Sequence, residues 1–272
     1  MDKTILKTYL EEGLSARKIA ELLGKHKNTV NYFIEKYNLQ NTQKYAKPQY
    51  KDEKILNKID TKEKAYIIGY SLADVYIGEN IVEFGCAIAD KELLKFVSSY
   101  LGANYREDLN FNPQQRRFPR ARISIGNKSI VTDFNKHCSS KDNKHCPRVN
   151  KDLERYLVQG FFDGDGCVTY GYRKDRNRLW QKISFTSSLK VLEGIQQILL
   201  KNCNIATVVR PKSKEKCFVL EFSNKNDVLK FLNYIYPDDE FIILHRKYEK
   251  ANALRLKLGE FGEVQRTPSE DI

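Results

Sequence analysis

Two stretches of the sequence decide the fold: Tyr66-Ile-Ile-Gly-Tyr-Ser-Leu-Ala-Asp74 and Leu157-Val-Gln-Gly-Phe-Phe-Asp-Gly-Asp165. Each is an apolar run that predicts a helix, and each ends in an aspartate. Each also has a glycine five residues before that aspartate and a small residue immediately before it, namely Gly69 and Ala73 in the first stretch and Gly160 and Gly164 in the second. Because small residues leave room for a neighbouring backbone, the two helices are predicted to pack directly against each other.

That contact would place the two closing aspartates side by side. Carboxylates held close together repel each other, and a buried charge is costly unless a cation compensates it. Hard divalent cations such as Mg2+ bind carboxylate oxygens. Asp74 and Asp165 are therefore predicted to be metal ligands for Mg2+, and the alternative is that each acid merely ends its helix.

The repeat extends beyond these stretches. Asn127-Lys-Ser-Ile-Val-Thr-Asp-Phe134 matches Asn224-Lys-Asn-Asp-Val-Leu-Lys-Phe231, although the second copy has a longer spacing between its aspartate and its Asn-Lys pair. Internal duplication on this scale predicts two pseudo-symmetric halves. We place them at residues 62–148 and 149–258, each with the order helix, hairpin, helix, hairpin, helix, which makes the fold class α+β.

The composition indicates a partner of opposite charge. The chain has 272 residues, a net charge of +12 and six scattered cysteines. A positive excess of this size favours a polyanion such as nucleic acid as the partner, although a merely soluble lysine-rich protein would have the same composition. The cysteines form no dense disulfide pattern and are predicted to be reduced thiols. Without a signal peptide or an apolar run of transmembrane length, the sequence predicts a cytoplasmic, intracellular protein with no membrane partner.

Residues 1–40 are predicted to form a separate, small all-α domain. Lys3 begins one helix, Gly13 ends it, Ser15 can cap a second helix, and a third begins near Asn28. The pattern resembles a helix-turn-helix, which inserts its second helix into the major groove of DNA, whereas a plain interaction domain is the alternative. On the first interpretation, the residues that face DNA are Lys25, Lys27, Asn28, Thr29, Asn31 and Tyr32.

Two segments lack the hydrophobic periodicity of a folded element. Residues 41–61 are predicted to be a linker. Residues 259–272 contain four acids against one arginine and are predicted to be an acidic tail.

Three of the four predicted hairpins are basic, while the first carries Glu79 and Glu83. A charge run usually marks a solvated face, but basic residues on symmetrically placed hairpins favour a sheet that lies in a DNA groove. The hairpin residues predicted to bind DNA are Arg116, Arg117, Arg120 and Arg122 in the first half, and Arg173, Lys174, Arg176, Arg178, Lys182, Arg210, Lys212 and Lys214 in the second. The unequal hairpins predict an asymmetric target.

Together, the acid-ended helices, the hairpin pattern and the closing Ile243-Leu-His-Arg-Lys-Tyr248 resemble the two-motif LAGLIDADG homing endonucleases over roughly residues 62 to 257. The second motif, with Asp163-Gly-Asp165-Gly166, is the more specific. The first motif departs from the family pattern because Val75 stands where glycine is usual and Leu72 where an acid often occurs. Neither of these two positions is that of the acid on which catalysis depends in the family.

The resemblance implies a pseudo-symmetric αββαββα duplication whose sheets lie on double-stranded DNA. It implies a monomeric, metal-dependent endodeoxyribonuclease with a long target site, in which Asp74 and Asp165 bind the metal. It also implies a basic catalytic residue late in each half, which matches Lys247 in the second half and, more loosely, Lys144 in the first. Metals held by the two aspartates and lysines nearby could supply the activated water and the charge stabilisation that phosphodiester hydrolysis needs.

Two alternatives stay open. The repeated pair His137-Cys138 and His145-Cys146 offers four possible zinc ligands, although the spacing fits no familiar pattern and a connector between the halves is the other interpretation. The scaffold could also belong to a non-cleaving DNA-binding regulator or an RNA splicing factor (maturase). Retention of both motif aspartates favours cleavage, because binding alone gains nothing from two like charges at close range.

Overall fold

The fold comes from a computed structural model that describes residues 1–12, 14–39, 50, 52–109, 114, 118–138, 144–212, 217–237, 241 and 243–263. For Arg176 and residues 260–263 it describes the backbone alone. The chain has two compact units, Met1–Gln49 and Tyr50–Ile272, called here the N-terminal and C-terminal units. None of the helices among these residues is long and apolar enough to cross a membrane.

The N-terminal unit contains three helices. They are α1 (Lys3–Glu11), α2 (Ala16–Leu22) and α3 (Lys27–Lys36). As predicted, Ser15 caps α2, since its hydroxyl oxygen accepts a hydrogen bond from the Lys18 amide at 3.2 Å. Gly24 turns the chain between α2 and α3 with a positive φ of 59°. A small apolar core that includes Leu6, Ile19 and Val30 holds the three helices together.

The first half of the C-terminal unit has the predicted order of elements. They are α4 (Lys62–Asp74), β1 (Val75–Ile77), β2 (Val82–Ala87), α5 (Lys91–Leu101), β3 (Tyr105–Asp108), β4 (Arg120–Ile125) and α6 (Lys128–Cys138). The strands form one antiparallel sheet in the order β1-β2-β4-β3.

The second half repeats this order and adds one helix. Its elements are α7 (Lys151–Asp165), β5 (Gly166–Arg173), β6 (Arg178–Ser187), α8 (Leu189–Cys203), β7 (Val209–Pro211), β8 (Phe218–Phe222), α9 (Lys225–Ile235) and α10 (His245–Glu263). The sheet order β5-β6-β8-β7 is that of the first half. The predicted α+β duplication is therefore confirmed.

Each sheet has one buried and one exposed face, as the alternation along β4 shows. Ala121, Ile123 and Ile125 are buried, whereas Arg120 and Ser124, on the alternate positions, are exposed. Helices cover the buried faces, and aromatic rings fill the space equivalently in the two halves. Phe84 contacts Phe134 at a centroid distance of 5.7 Å, and Phe185 contacts Phe231 at 5.6 Å.

The C-terminal unit extends into both of the segments that were predicted to lie outside the folded halves, namely the linker and the acidic tail. Within the segment predicted as a linker, Leu56 is fully buried in the core of the C-terminal unit. At the other end, α10 continues to Glu263 and so includes the first residues of the predicted acidic tail. The rest of that tail lies outside the described residues.

Candidate functional site

The motif helices α4 and α7 meet through their backbones, as the positions of their glycines predict. A Cβ atom added at Gly69 would lie 2.1 Å from the Leu157 carbonyl oxygen, and one added at Gly160 would lie 2.1 Å from the Tyr66 carbonyl oxygen. These two contacts are equivalent under the pseudo-twofold relation of the halves. Glycine is therefore required at both positions by close approach, and the approach brings the ends of the two helices together.

Asp74 and Asp165 are the last residues of α4 and α7. Burial is the main cause that raises the pKa of Asp165 from 3.8 to about 6, and repulsion by the Asp74 carboxylate is the second. The predicted pair of acids is thus close enough to interact. A cation between them would relieve this repulsion.

The two predicted lysines contact the ends of the same helices. Lys144 Nζ donates to the carbonyl oxygens of Leu72 at 3.1 Å and Ala73 at 3.3 Å, at the end of α4. Lys247 Nζ donates to three carbonyl oxygens at the end of α7, those of Phe162 at 2.6 Å, Gly164 at 3.1 Å and Gly166 at 2.7 Å. Each lysine therefore compensates unpaired carbonyls and the negative end of a helix dipole beside one motif aspartate.

Burial lowers the pKa of Lys247 because it disfavours the charged amine, while the nearby Asp163, Asp74 and Asp165 carboxylates oppose that shift. The amine also lies 5.4 Å from the centroid of the Phe162 ring. Lys247 is thus a half-buried cation within the electrostatic range of both motif aspartates.

Asp163 has a supporting position between two buried tyrosines. Its carboxylate accepts hydrogen bonds from the Tyr66 hydroxyl at 2.6 Å and the Tyr236 hydroxyl at 2.8 Å, and all three side chains are buried. Burial raises the pKa of Asp163 to about 6, although the two hydroxyls act in the opposite direction. The equivalent position in the first half is Leu72, so this buried network exists in one half alone.

Val75 lies where the chain changes from helix α4 to strand β1. Its backbone is extended, with φ −113° and ψ 131°, and Gly166 at the end of α7 is also extended, with φ −76° and ψ 150°. Both residues begin the first strand of their half. The departure from glycine therefore leaves the helix-to-strand transition intact.

The donor set at the helix ends suits a hard cation that completes its coordination from elsewhere. Among the described residues, no three His, Cys, Asp or Glu side chains form a group that could hold a metal ion. Asp74 and Asp165 offer two carboxylates, and Mg2+ in proteins is commonly held by one or two carboxylates together with water and substrate phosphates. The residues present therefore fit Mg2+.

The histidine and cysteine pairs have packing contacts instead of a common centre. His137 Nε2 lies 2.8 Å from the Leu56 carbonyl oxygen, and the Cys138 thiol lies 3.9 Å from the Ile68 carbonyl oxygen. Cys146 packs against Gly194 of α8. Burial raises the pKa of both thiols to about 12, which disfavours the thiolates that zinc binds. This arrangement favours the connector interpretation.

The exposed face of the first sheet carries arginines. Arg120 and Arg122 lie on it through the alternation of β4. Arg106 of β3 pairs directly with Arg122, which sequence analysis missed because β3 is short and carries no periodic signal of its own. Glu83 of β2 lies 3.5 Å from Arg122 and offsets part of this charge. Arg116 and Arg117 lie outside the described residues.

The exposed face of the second sheet is larger and more basic. Arg173 and Arg178 pair across the end of the long β5–β6 hairpin, and Lys182 of β6 forms an ion pair of 3.3 Å with Glu221. Arg210 and Lys212 are exposed at the sheet edge, and Lys174 is exposed at the hairpin tip. The side chain of Arg176 and all of Lys214 lie outside the described residues. The single tryptophan, Trp180, is also on this face and 40% exposed.

In the N-terminal unit, the predicted DNA-facing residues gather at the start of α3. Lys27, Asn28, Thr29 and Tyr32 are exposed on the helix, Asn31 is half-buried, and Lys25 is exposed in the preceding turn. His26 caps this helix, since its Nδ1 accepts a hydrogen bond from the Asn28 amide at 3.3 Å. The exposed start of α3 thus presents two lysines and short polar side chains together.

Comparison with known proteins agrees with this geometry. Residues 152–236 match the family model described as a LAGLIDADG-like domain. The solved LAGLIDADG homing endonuclease I-GzeII, in complex with its DNA target, is 9% identical, with a TM-score of 0.54 over 75% of this chain and 92% of that chain. I-LtrWI, bound to target DNA, is 12% identical, with a TM-score of 0.53 over 78% of this chain and 92% of that chain. No curated protein sequence matches the chain.

The chain is thus a duplicated α+β protein whose two halves meet through paired, acid-ended helices. The C-terminal unit has the fold of the LAGLIDADG homing endonucleases, and residues of its second half match the LAGLIDADG-like family model. The predicted family resemblance is therefore confirmed.

Proposed function

We propose that the protein is a site-specific DNA endonuclease that hydrolyses phosphodiester bonds in both strands of a long duplex target. The observation that carries this proposal is the meeting of Asp74 and Asp165 at the end of a glycine-packed interface, with a lysine on each helix end. A protein that only binds nucleic acid gains nothing from the repulsion between these acids. A hydrolase gains a cation site.

Asp74 and Asp165 would hold Mg2+, which when bound would activate water and stabilise negative charge on the phosphate. The aspartates themselves orient the site, because each is fixed at the end of a buried helix. No third His, Cys, Asp or Glu side chain of the described residues forms a metal-holding group with them, which leaves the remaining coordination positions to water and phosphate.

Lys144 and Lys247 would supply positive charge next to the reacting phosphates. Each amine is held by helix-end carbonyls and, within the described part of the chain, forms no ion pair with a carboxylate, so its charge is available to a phosphate. A fixed cation of this kind stabilises the transition state electrostatically. Because the halves are pseudo-symmetric and the two strands of a duplex are antiparallel, we assign one lysine and one aspartate to each strand.

The exposed sheet faces would bind the duplex. Arginines and lysines on both faces can contact phosphates and base edges. The faces differ, since β5 and β6 form a long basic hairpin whereas β1 and β2 form a short one. A single chain with two unequal faces matches an asymmetric target bound by a monomer.

The N-terminal unit would add a second DNA contact through α3. Its exposed lysines, asparagines and Thr29 at the helix start fit phosphate and base-edge contacts in a major groove. This unit would extend the target beyond the part bound by the sheets.

A selection from a randomised duplex library tests the proposal and separates it from its rivals. Incubation with Mg2+ should yield a defined set of cleaved sequences, and EDTA should prevent their formation. Recovery of bound but intact DNA under both conditions would instead identify a non-cleaving regulator. Selective recovery of structured RNA from a parallel pool, without cleavage of DNA, would identify a splicing factor.

A further inference from the structure

Asp90 and Ser188 occupy equivalent positions, immediately before α5 and α8. Several residues at the starts of helices, such as Ser15 and Thr61, use their side chains to accept bonds from the first turn. The side chains of Asp90 and Ser188 make no such capping bond. Their side chains are therefore available for contacts elsewhere in the chain.

Asp90 of the first half contacts the second half. Arg246 Nε donates to Asp90 Oδ1 at 3.0 Å, and Arg246 Nη2 donates to Asp90 Oδ2 at 2.8 Å, which is the bidentate geometry of a strong arginine–carboxylate pair. The Asp90 side chain is only 14% exposed. Arg246 immediately precedes Lys247, and both lie in the first turn of α10. The pair therefore fixes the part of the helix that carries the Lys247 side chain.

Ser188 of the second half makes the reciprocal contact. Its hydroxyl donates to the main-chain carbonyl oxygen of Lys144 at 3.4 Å. Lys144 belongs to the first half and contacts the end of α4. The two contacts are therefore crossed, because each half holds the lysine-bearing segment of the other.

We propose that these crossed contacts position the two lysines, with Asp90 and Arg246 acting on Lys247 and Ser188 acting on Lys144. A free lysine samples many side-chain conformations, and anchoring its backbone reduces the freedom lost when the amine reaches its working position. The inference rests on the proposed function for its effect on cleavage. It does not rest on that function for its effect on the lysines themselves.

The Asp90–Arg246 pair also contributes to stability, because it is bidentate and Asp90 is largely buried, although the Arg246 side chain is 61% exposed. Loss of the pair should lower the melting temperature by about 2–4 °C. Cleavage rates are therefore compared well below the unfolding transition. Misplacement of one lysine should slow the cleavage of one DNA strand by about tenfold or more, because small displacements of catalytic groups have large effects on rate.

The first test measures strand-specific cleavage with a selected target labelled on either strand. Arg246→Gln and Asp90→Asn should slow the same strand and accumulate a nicked product, and Ser188→Ala should slow the other strand. The swapped double variant Asp90→Arg with Arg246→Asp should recover part of the lost rate. Glu92→Gln is the matched control, since it removes an exposed pair of 2.7 Å with Lys95 on the same helix without touching the other half. Equal slowing of both strands would overturn the inference.

The second test needs no cleavage. Brief acylation with acetic anhydride, followed by peptide mass spectrometry, measures the accessibility of each lysine amine. Arg246→Gln should increase the acylation of Lys247 several-fold and leave Lys144 unchanged, whereas Ser188→Ala should do the reverse. An unchanged pattern, or a joint rise at both lysines, would refute the positioning role. If the wild-type protein fails to cleave any duplex, the proposed function fails, and the acylation result still decides the positioning role.

Discussion

Gly166 lies directly against the side chain of Phe162. A Cβ atom added at Gly166 would be 2.1 Å from Phe162 Cδ2 and 2.5 Å from the Phe162 carbonyl oxygen. The equivalent pair in the first half is Ser71 and Val75, where a small side chain replaces the phenylalanine ring and a buried valine is accommodated. The glycine of the second motif is therefore a packing requirement that the first motif does not share.

Gly166→Ala should destabilise the protein by about 1–3 kcal/mol, because the added methyl group overpacks a fully formed core. The matched control is Gly126→Ala, where an added Cβ has no neighbour within 4 Å. Urea unfolding of both variants measures the difference in free energy. Equal stabilities would contradict the packing explanation.

Asp74→Asn or Asp165→Asn should abolish cleavage and leave DNA binding largely intact. Each substitution removes a predicted metal ligand but leaves the exposed sheet faces unchanged. Cleavage assays and gel shifts on each variant provide the measurement, and Mg2+ should raise the melting temperature of the wild type more than that of either variant. Wild-type turnover in either variant would disprove the assignment.

Asp165 should also make stability depend on pH. Its pKa of about 6 in the folded protein exceeds the ordinary value of 3.8. The stability that this raised pKa contributes is fully present below about pH 4 and is lost as the pH rises through about 6. Asp165→Asn should therefore be more stable than the wild type at pH 7.5, by on the order of 1 kcal/mol after solvent screening, and the difference should disappear near pH 4. Thermal unfolding without metal at both pH values tests this sign.

Asp163→Leu should destabilise the protein by about 2–5 kcal/mol, although it copies the residue found in the first motif. The reason is that the Tyr66 and Tyr236 hydroxyls, both buried, would lose their acceptor. Combining it with Tyr66→Phe and Tyr236→Phe should recover part of the loss, since no unsatisfied hydroxyl then remains. Denaturant unfolding of the single and triple variants measures this coupling, and strict additivity would argue against the buried network.

Deletion of residues 1–40 should weaken DNA affinity and shorten the protected footprint at one end, without destroying the cleavage centre. The N-terminal unit has its own core, and the motif aspartates lie in the other unit. Nuclease footprinting of the full and shortened proteins provides the measurement. A footprint of unchanged length would mean that α3 binds something else.

Alanine at the four basic residues of the β5–β6 tip, Arg173, Lys174, Arg176 and Arg178, should flatten the salt dependence of DNA binding. Removing one phosphate-binding side chain should reduce the magnitude of the negative slope of log affinity against log salt by about 0.9. Sequence preference should relax mainly in the half-site beneath the second sheet. Affinities across a salt series, with targets substituted one position at a time, test both effects. An unchanged slope with even loss of preference would refute the assignment.

Local patterns were sufficient to predict the motif helices, the hairpins and the cap at Ser15. Glycine spacing was sufficient to predict the helix interface, because a backbone contact depends on the absence of side chains at Gly69 and Gly160. These features follow from periodicity and from the shape of single residues.

Contacts between distant residues were beyond local patterns. Nothing around Asp90 or Arg246 indicates that they form a pair, because each looks like an ordinary surface charge. Similarly, the partners of Asp163 lie on α4 and at the end of α9, and only the folded chain brings both hydroxyls to one carboxylate. The place of Arg106 depends on strand register, which a four-residue strand does not reveal.

The closest contacts between α4 and α7 are made by main-chain atoms, and this has an evolutionary consequence. Such a backbone interface, the seam, places few packing constraints on residues outside α4 and α7. The exposed faces of the two sheets can therefore diverge independently while the ends of the two helices keep their arrangement. The long hairpin of one half beside the short hairpin of the other is consistent with such independent divergence. Halves taken from different relatives should accordingly be interchangeable when their seams are compatible, which makes this architecture a natural source of hybrid specificities.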